Sequence, residues 1–298
     1  MMRCSTSLLT IILFVLTLGL GVHSSADAEE GQAYSLRYQF HPGQVIRYEE
    51  SLRDDYVIQV QEEVDEPFSF QASGKSMKVI DVLEDGSAIA ELQINWVTIK
   101  IRENGEEEAF DSRTGEEPSV KFQALAQIIG RPRMRVTITP TGEVLEAESL
   151  LGDGGKPDPS TVEVLRRLPE QPVRVGETWK EDSFIELSLP DSQLKKKVRL
   201  QDRFKFVSVE NGVASLELET VVITPVESAE LQMQLLRRQP AGTYQIHLER
   251  GELIGFELNQ NNEVPGFTNR PSKLTFRQKH TQRILPVQLS DGNESTFR

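Results

Sequence analysis

Histidine, the residue most often used in acid–base catalysis, is rare in this sequence. Three histidines follow residue 28, namely His41, His247 and His280, and they are widely separated in predicted strands or turns. The sequence contains no serine elbow, no paired-histidine zinc motif, no phosphate-binding glycine loop and no CxxC motif. We interpret the histidines as surface or edge residues and predict no catalytic residue, although a nucleophile and a base that are distant in sequence can meet in a fold.

Two aspartates, Asp153 and Asp158, lie among the glycines and prolines of residues 151–160. Carboxylates on a flexible backbone supply the oxygen ligands that calcium prefers, so the segment resembles a weak calcium loop. Its spacing fits no complete calcium-binding motif, and Asp, Gly and Pro are also the ordinary residues of a turn. We predict a linker here, with no metal site and no cofactor.

The N-terminus is typical of a secretory signal peptide. Arg3 precedes an apolar run from Leu8 to Val22, and residues 26–28, Ala-Asp-Ala, form a small-residue cleavage site. The run is shorter than the roughly 20 residues that a spanning helix needs. We predict cleavage after Ala28 and a secreted or periplasmic protein, with an uncleaved membrane anchor as the alternative. Cleavage would also remove Cys4, the only cysteine.

The charge of the chain restricts its partners. The formal net charge is −13 at pH 7. An acidic surface repels nucleic acid phosphates and anionic lipid head groups. We therefore predict no nucleic acid partner and no stable membrane insertion once the signal is removed.

One hairpin pattern occurs twice in the sequence. Residues 78–92 and 205–218 each contain a β-branched run, an acidic turn that ends in glycine, and an alternating run. Superposing the two turn glycines places apolar residues on the same face of both copies. Two further pairs of segments match in the same order: Phe40–Tyr48 with Val173–Glu181, and Val136–Val144 with Tyr244–Leu253. The sequence therefore predicts two related halves.

The predicted boundaries follow the composition. Residues 1–28 form the signal peptide, 29–150 the first β lobe, 151–170 a linker with a short helix, 171–289 the second β lobe and 290–298 a flexible tail. The alternating runs are long, and long strands twist and coil. We predict a mainly β fold of two homologous antiparallel, strongly curved, half-barrel-like sheets with a few short helices. The helices are expected at Ser119–Ile129, Ser160–Leu168 and Ser228–Arg238.

The two tryptophans suggest where a ligand would lie. Trp96 continues the alternating apolar face of the first hairpin, and Trp179 follows Gly176 in the GETW element of the second half. On a curved sheet both would line the concave side and help to enclose an apolar ligand. Filling the core of a β protein is the simpler interpretation of such large aromatics. The candidate lining residues are Leu92, Ile94, Trp96, Trp179 and Leu218.

A family resemblance rests on the residues around Trp179. The segment PVRVGETW contains a G-[DE]-x-W element, which is followed by a long hairpin with an acidic glycine turn and a later hairpin with a Gly-Glu turn. This pattern resembles uncharacterised secreted bacterial proteins of a domain-of-unknown-function family, over most of the chain after the signal. The resemblance carries no catalytic residue. More distantly, the architecture is similar to periplasmic lipoprotein carriers, which implies a curved sheet with a helical lid.

Three functions are consistent with these patterns. The first is an exported, non-catalytic bacterial envelope protein that binds an apolar or lipid-like ligand, or an envelope protein, against a curved sheet. The second is a structural or interaction module without a ligand pocket, whose edge strands recruit a partner. The third is a carboxylate-dependent hydrolase, which requires one of the histidines to lie with acidic residues in one cleft.

Overall fold

Long antiparallel strands dominate the protein. The computed structural model describes residues 31–152, 155–188 and 195–285, and within these ranges it contains a 13-stranded sheet, a two-stranded sheet and two α-helices. The predicted mainly β, antiparallel fold with few short helices is confirmed. The signal peptide with Cys4, Asp153 of the linker and the tail 290–298 lie outside the described residues.

The elements up to residue 152 begin with a short strand and continue as long hairpins. Their bounds are β1 (Ala33–Tyr34), β2 (Val45–Val60), β3 (Glu63–Asp65), β4 (Phe68–Val82), β5 (Ala88–Glu103), β6 (Glu106–Asp111), α1 (Gln123–Ile128), β7 (Pro132–Ile138) and β8 (Val144–Ser149). The acidic, glycine-containing composition of residues 104–117 predicts a solvated loop, and this prediction is wrong for β6, which lies within them.

The later elements repeat this plan and add one strand. Their bounds are β9 (Val173–Arg174), β10 (Thr178–Ser188), β11 (Lys195–Glu210), β12 (Val213–Val222), α2 (Ala229–Leu235), β13 (Ala241–His247), β14 (Glu252–Pro265) and β15 (Ser272–Ile284). In both halves three long strands are followed by a helix and two more strands.

The two halves join in one open sheet. Its order is β10-β11-β12-β13-β14-β15-β2-β4-β5-β7-β8, with β3 beside β2 and β6 beside β5. The extra strand β15 pairs with β14 on one side and with β2 on the other. The central seam of the sheet therefore joins the last described strand to the first long one, and β10 and β8 are its edges.

The two halves also share a local irregularity. The pairing register shifts by one residue directly after Val79 in β4 and directly after Phe206 in β11. Val79 exchanges two backbone hydrogen bonds with residues 43–44, and Phe206 makes the same two with residues 176–177. A β-bulge at matched positions, held by the matched turn, is a repeated structural feature rather than a defect.

Both halves contribute to one hydrophobic cluster. Its buried residues include Val79, Ala88, Ala90, Leu92, Val136 and Ile138 from the first half and Phe204, Phe206, Ala214, Leu216, Leu218, Tyr244 and Ile246 from the second. We call the sheet face that carries them the inner face. Leu36, Tyr38 and Phe40, which the sequence pattern predicts on one face of a strand, are buried in the same cluster, although only Ala33–Tyr34 pairs as a strand.

The segment after β1 connects the two halves through their equivalent turns. The amide of Tyr38 donates to the carbonyl of Pro140 at 2.7 Å, in the β7–β8 turn. The amide of Gln39 donates to the carbonyl of Gly251 at 3.0 Å, in the β13–β14 turn. Two neighbouring residues of one extended segment thus donate hydrogen bonds to the two matched turns.

Two of the three predicted helices form, in shortened versions. Ser228 caps α2, since its hydroxyl accepts a hydrogen bond from the amide of Leu231. α1 follows a 3-10 turn at Val120–Phe122. The prediction of a helix at Ser160–Leu168 is wrong: a 3-10 turn at Pro159–Thr161 is followed by non-helical chain. Most of the apolar side chains of residues 162–168, which we call the linker segment, pack against the shared core, and the extended chain allows this.

No helix within the described residues has the length and apolar character needed to cross a membrane.

Candidate functional site

A cavity of about 290 Å³ lies against the inner face of the sheet. Its lining comes from the central strands β14, β15, β2 and β4, from β5, β7 and β13, from the chain that follows α2 and from the linker segment. The lining includes Tyr48, Glu50, Lys75, Leu92, Arg133, Val164, Leu165, Arg166, Arg237, Tyr244, Leu253, Phe256, Leu258, Gln278, His280 and Gln282. The cavity therefore touches both halves.

A row of polar side chains crosses the inner face at this cavity. We call Glu50, Asp54, Lys75, Gln260, Gln278, His280 and Gln282 the polar band. Strand register places Asp54 opposite Gln278 and Glu50 opposite Gln282, so these side chains share one face. Buried apolar residues lie beyond the band on either side, with Met77 at one end and Phe276 at the other. Polar groups within a mostly apolar face indicate a site rather than packing alone.

Glu50 is the centre of one part of the polar band. Its carboxylate contacts the imidazole Nε2 of His280 at 2.7 Å and accepts a hydrogen bond from the ammonium of Lys75. Burial alone would raise the pKa of Glu50, but the hydrogen bond with His280 and the positive charge of Lys75 outweigh it and lower the pKa to about 2. Glu50 is thus a stable carboxylate that orients both neighbours.

Asp54 anchors the other part of the band. The residue is 1% exposed, and its carboxylate pairs with the guanidinium of Arg237 at 2.6 Å. The amide of Gln278 donates to Asp54 at 2.8 Å, and that of Gln260 donates to Gln278 at 2.5 Å. This network satisfies a buried charge inside a sheet, where an unpaired carboxylate would be strongly destabilising.

Several polar groups at the cavity have no protein partner among the described residues, including the side chains of Arg133, Tyr48 and Gln282 and the Nε of Arg166. Arg133 is half-buried, and its side chain makes neither an ion pair nor a hydrogen bond there. The hydroxyl of Tyr48 likewise has no hydrogen-bond partner in that part of the chain. Burial and the charge of Glu50 raise the pKa of Tyr48 to about 12, against the effect of Arg133, so the hydroxyl remains a donor.

A β-bulge directs Arg133 toward the cavity. Met134 pairs with Leu92 and Pro132 with Gln93, so Arg133 is the extra residue between two adjacent partners. Regular alternation would place Arg133 on the outer face with Arg135, which pairs with Glu91. Bulges commonly redirect a side chain next to a functional site.

The linker segment covers one side of the cavity. The guanidinium of Arg166 contacts Asp202 of β11 at 3.1 Å and Glu163 at 2.8 Å, and lies over the rings of Phe204 and Tyr244 at 5.6 and 5.7 Å. A hydrogen bond of 2.9 Å from the hydroxyl of Tyr38 to the carbonyl of Arg166 fixes its backbone. Residues of both halves therefore fix the linker segment beside the cavity.

Four of the five predicted lining residues lie on the inner face. Leu92 borders the cavity, and Ile94 is opposite Lys75. Trp179 and Leu218 are both opposite Phe204, and the indole of Trp179 stacks on the Phe204 ring with centroids 5.0 Å apart. Neither Trp179 nor Leu218 borders this cavity; both line a separate and more open cavity of about 490 Å³ in the second half.

The fifth predicted residue, Trp96, lies on the opposite face. A register shift within the β4–β5 pair places Trp96 opposite Gly74, which in turn is opposite Glu49. Side chains alternate along β2, so Glu49 faces away from the side that carries Glu50. The indole packs directly over Gly74, and the guanidinium of Arg113 lies 4.2 Å from its ring centre.

The interpretation of all three histidines as surface or edge residues is wrong for His280. His41 lies in an exposed turn, and His247 accepts a hydrogen bond from the amide of Arg250 at 3.3 Å. His280 lies in the cavity beside Glu50 and against the ring of Phe256, with centroids 4.8 Å apart. The sequence feature that could have identified His280 is the alternation of Phe276, Gln278 and His280 along β15, in which polar residues interrupt an apolar face.

The described part of the chain has no group of three or more His, Cys, Asp or Glu residues arranged to hold a metal ion. Asp158, one of the two aspartates considered as calcium ligands, caps the 3-10 turn by accepting a hydrogen bond from the amide of Ser160 at 2.9 Å.

Comparison with known proteins gives little. No family model matches the chain, and no curated protein does. Among solved structures, it is similar to lipovitellin, in a structure described for lipid–protein interactions, with a TM-score of 0.43 and 9% identity over 83% of this chain. A second is the Salmonella type III secretion injectisome secretin InvG in its open gate state, with a TM-score of 0.18 and 7% identity over 81% of this chain.

The chain spans 25% of the lipovitellin chain and 59% of the secretin chain. Both TM-scores are below 0.5, and the function is therefore inferred from the residues of this chain alone.

Proposed function

We propose that the protein is an exported binding protein that encloses a small amphipathic molecule in the cavity on the inner face. This proposal rests on the position of the cavity, which lies between the polar band and an apolar wall. The wall consists of Leu92, Val164, Leu165, Leu253, Phe256 and Leu258. At about 290 Å³ the cavity is close to the lower end of the roughly 300–1,000 Å³ range of ligand pockets, which favours a small ligand.

The polar band changes the chemistry expected from the sequence alone. A purely apolar ligand would leave the hydroxyl of Tyr48 and the guanidinium of Arg133 without partners. Buried polar groups without partners are costly, so a ligand with one polar end and one apolar part fits better. Export is proposed from the charged, apolar and small-residue regions of the N-terminus, which together are typical of a cleaved signal.

Native mass spectrometry tests the proposal. The full chain, expressed with its N-terminus in a bacterial host and recovered from the periplasm, is expected to carry a small molecule that organic solvent releases. The Gln282→Phe variant places a large ring in the cavity and should lose that molecule. Arg283→Phe is the matched control, because the next residue on β15 faces the other side and pairs with Glu49.

Retention of the molecule by Gln282→Phe would contradict binding in this cavity. An empty wild-type protein that also takes up none of a panel of small amphipathic compounds would contradict the function itself.

The contact between His280 and Glu50 favours a second candidate, the carboxylate-dependent hydrolase. A histidine oriented by a carboxylate is the usual form of a general base. Among the described residues, however, the side chains that line the cavity include no serine, threonine or cysteine nucleophile, so the base would have to activate water. Hydrolysis of a p-nitrophenyl ester that disappears in both His280→Asn and Glu50→Gln would support an enzyme; equal rates in all three proteins would exclude it.

A further inference from the structure

We propose that the cavity recognises the anionic head group of its ligand, a carboxylate or a phosphate, through the guanidinium of Arg133 together with the hydroxyl of Tyr48. This inference rests on the proposed function and names the chemical class of the ligand. It follows from three independent features of the described residues: the charge inventory of the cavity, the bulge at Arg133, and the chemistry of the matched place in the second half.

Of the lysine and arginine side chains around the cavity, Arg133 is the one without a carboxylate partner among the described residues. Glu50 is paired with Lys75 and contacts His280, Glu163 is paired with Arg166, and Arg166 and Arg237 bind Asp202 and Asp54. Arg133 has no carboxylate within 4.0 Å in the described part of the chain. The guanidinium of Arg133 is therefore available to an anionic group of a ligand, and displacing water from it without supplying an anion would be unfavourable.

The β-bulge at Arg133 makes its inward position a property of the backbone. Without the shift between Leu92 and Gln93, the side chain would join Arg135 on the outer face. That face already offers partners, since Glu91 and Glu148 both bind Arg135. The sequence thus directs one arginine away from available carboxylates and toward the cavity.

The second half shows the inverse arrangement at the matched place. Tyr48 and Lys75 are paired residues on β2 and β4, and the corresponding residues on β10 and β11 are Glu181 and Asp202. The acidic pair of the second half faces a guanidinium, that of Arg166. In the first half Lys75 is paired with Glu50, and Tyr48 and Arg133 remain as donors beside the cavity. An acceptor with negative charge is the complementary occupant.

The hydrogen-bonding chemistry of the two groups suits such an anion. A guanidinium offers two parallel N–H donors to a carboxylate or phosphate, and a hydroxyl can supply a third bond. Hydrogen bonds to a charged acceptor are stronger than neutral ones, so an acid should bind more tightly than the alcohol of the same chain.

Isothermal titration calorimetry on the full chain tests the head group. The probes are straight-chain carboxylates from hexanoate to dodecanoate, the matching alkyl phosphates and the matching alcohols. We expect at least one anionic series to bind about tenfold more tightly than the alcohols. The tighter of the two series identifies carboxylate or phosphate as the head group.

The variants Arg133→Gln, Arg133→Lys and Arg135→Gln assign the effect. Arg133→Gln should reduce the affinity for the anion to that for the alcohol, Arg133→Lys should keep part of the preference, and the outer-face control Arg135→Gln should behave as wild type. If alcohols and anions bind equally, or if Arg133→Gln leaves the preference intact while its circular dichroism matches that of the control, the head-group inference is overturned and cavity binding stands. Absence of binding by every probe, together with an empty protein in mass spectrometry, overturns the proposed function as well.

Discussion

Where β2 pairs with β4, Tyr48 lies opposite Lys75; where β10 pairs with β11, Glu181 lies opposite Asp202. The backbone around these two places is the same, with a matched turn and a matched bulge. The side chains differ in both size and charge. One repeated scaffold therefore presents hydrogen-bond donors in its first half and carboxylates in its second.

The difference decides what lies beside each pair. Arg166 of the linker segment fills the space beside Glu181 and Asp202 and contacts the rings next to them. No equivalent arginine pairs with a carboxylate beside Tyr48 in the described chain, and a cavity lies there instead. At the matched places, therefore, the protein's own Arg166 lies against the carboxylates of the second half, whereas Tyr48 of the first half borders the cavity.

Removing the arginine that lies against the carboxylates of the second half should have the largest effect. In Arg166→Leu, carboxylates at Asp202 and Glu163 lose a partner that is only 17% exposed. Loss of one member of a buried ion pair costs about 3–5 kcal/mol, so urea unfolding should show a decrease of that order. The control Arg203→Leu breaks an exposed pair with Glu219 and should change the free energy of unfolding by about 0–1 kcal/mol. Equal effects of the two variants would mean that the pairing of Arg166 is not important for stability.

Replacing the glycine in either of the two matched turns should destabilise the protein by a similar amount. Gly142 has a φ of +86°, and a Cβ there would lie 2.7 Å from the carbonyl oxygen of Arg166; Gly251 has a φ of +56°, and its Cβ would lie 2.5 Å from the amide nitrogen of Gln39. Each Gly→Ala change should lower the free energy of unfolding by about 2–3 kcal/mol, from strain and overpacking together.

A third glycine separates the two causes. Gly176 has a φ of +89°, but no atom lies within 4 Å of the position that an alanine methyl group would take, so Gly176→Ala should cost only about 1 kcal/mol for backbone strain. Thermal or urea unfolding of the three variants compares them directly. If Gly176→Ala is as destabilising as the other two, close approach of the chain at the matched turns is not important for stability.

The smallest expected effect is a difference in pH dependence between the halves. Burial is the main reason that the pKa of Glu181 is raised from 4.5 to about 7, against the attraction of Arg167 and Arg166. A carboxyl with a raised pKa in the folded state favours folding below pH 4.5, and this contribution is lost as the pH rises through 7. For Glu50, whose pKa is lowered to about 2, the contribution is present above 4.5 and is lost as the pH falls toward 2.

Glu181→Gln should therefore stabilise the protein at pH 8 and change it little at pH 4.5. Glu50→Gln should destabilise at pH 8, with an effect that shrinks as acid is added. Urea unfolding at several pH values measures both. If the free energy of unfolding depends on pH in the same way in the two variants, the inferred electrostatic difference between the halves is wrong.

The sequence predicts local structure well where the chemistry is local. Asn211-Gly212 forms a tight turn with both residues at positive φ, as an Asn-Gly pair between alternating runs requires. The alternating runs Val45–Val60 and Phe68–Val82 predict two strands, and these are the observed bounds of β2 and β4. The helix prediction for the linker segment fails because Ser160 and Glu163 fit a capping pattern, whereas burial of the apolar side chains that follow favours an extended chain.

The site was less predictable, since it depends on bulges and on distant pairing. Trp96 faces away from Leu92 only because of an extra residue in β5, and Arg133 faces inward for the corresponding reason in β7. Gly74 lies at the first shift and Pro132 at the second, but a single glycine or proline does not fix the pairing register of two strands. The contact of His280 with Glu50 depends on β15 pairing with β2, which no local pattern encodes.

That central seam has a consequence for the order in which the chain becomes structured. Ser51 of β2 and Thr281 of β15 share a hydrogen bond of 3.0 Å although they are 230 residues apart. During synthesis β2 leaves the ribosome long before β15. The edge of β2 that pairs with β15 has no partner in the meantime. Contacts of such long range slow folding, and an unpaired edge strand invites association with other chains. The first half therefore keeps an unpaired strand edge until β15 has been synthesised, and it remains incompletely folded until then.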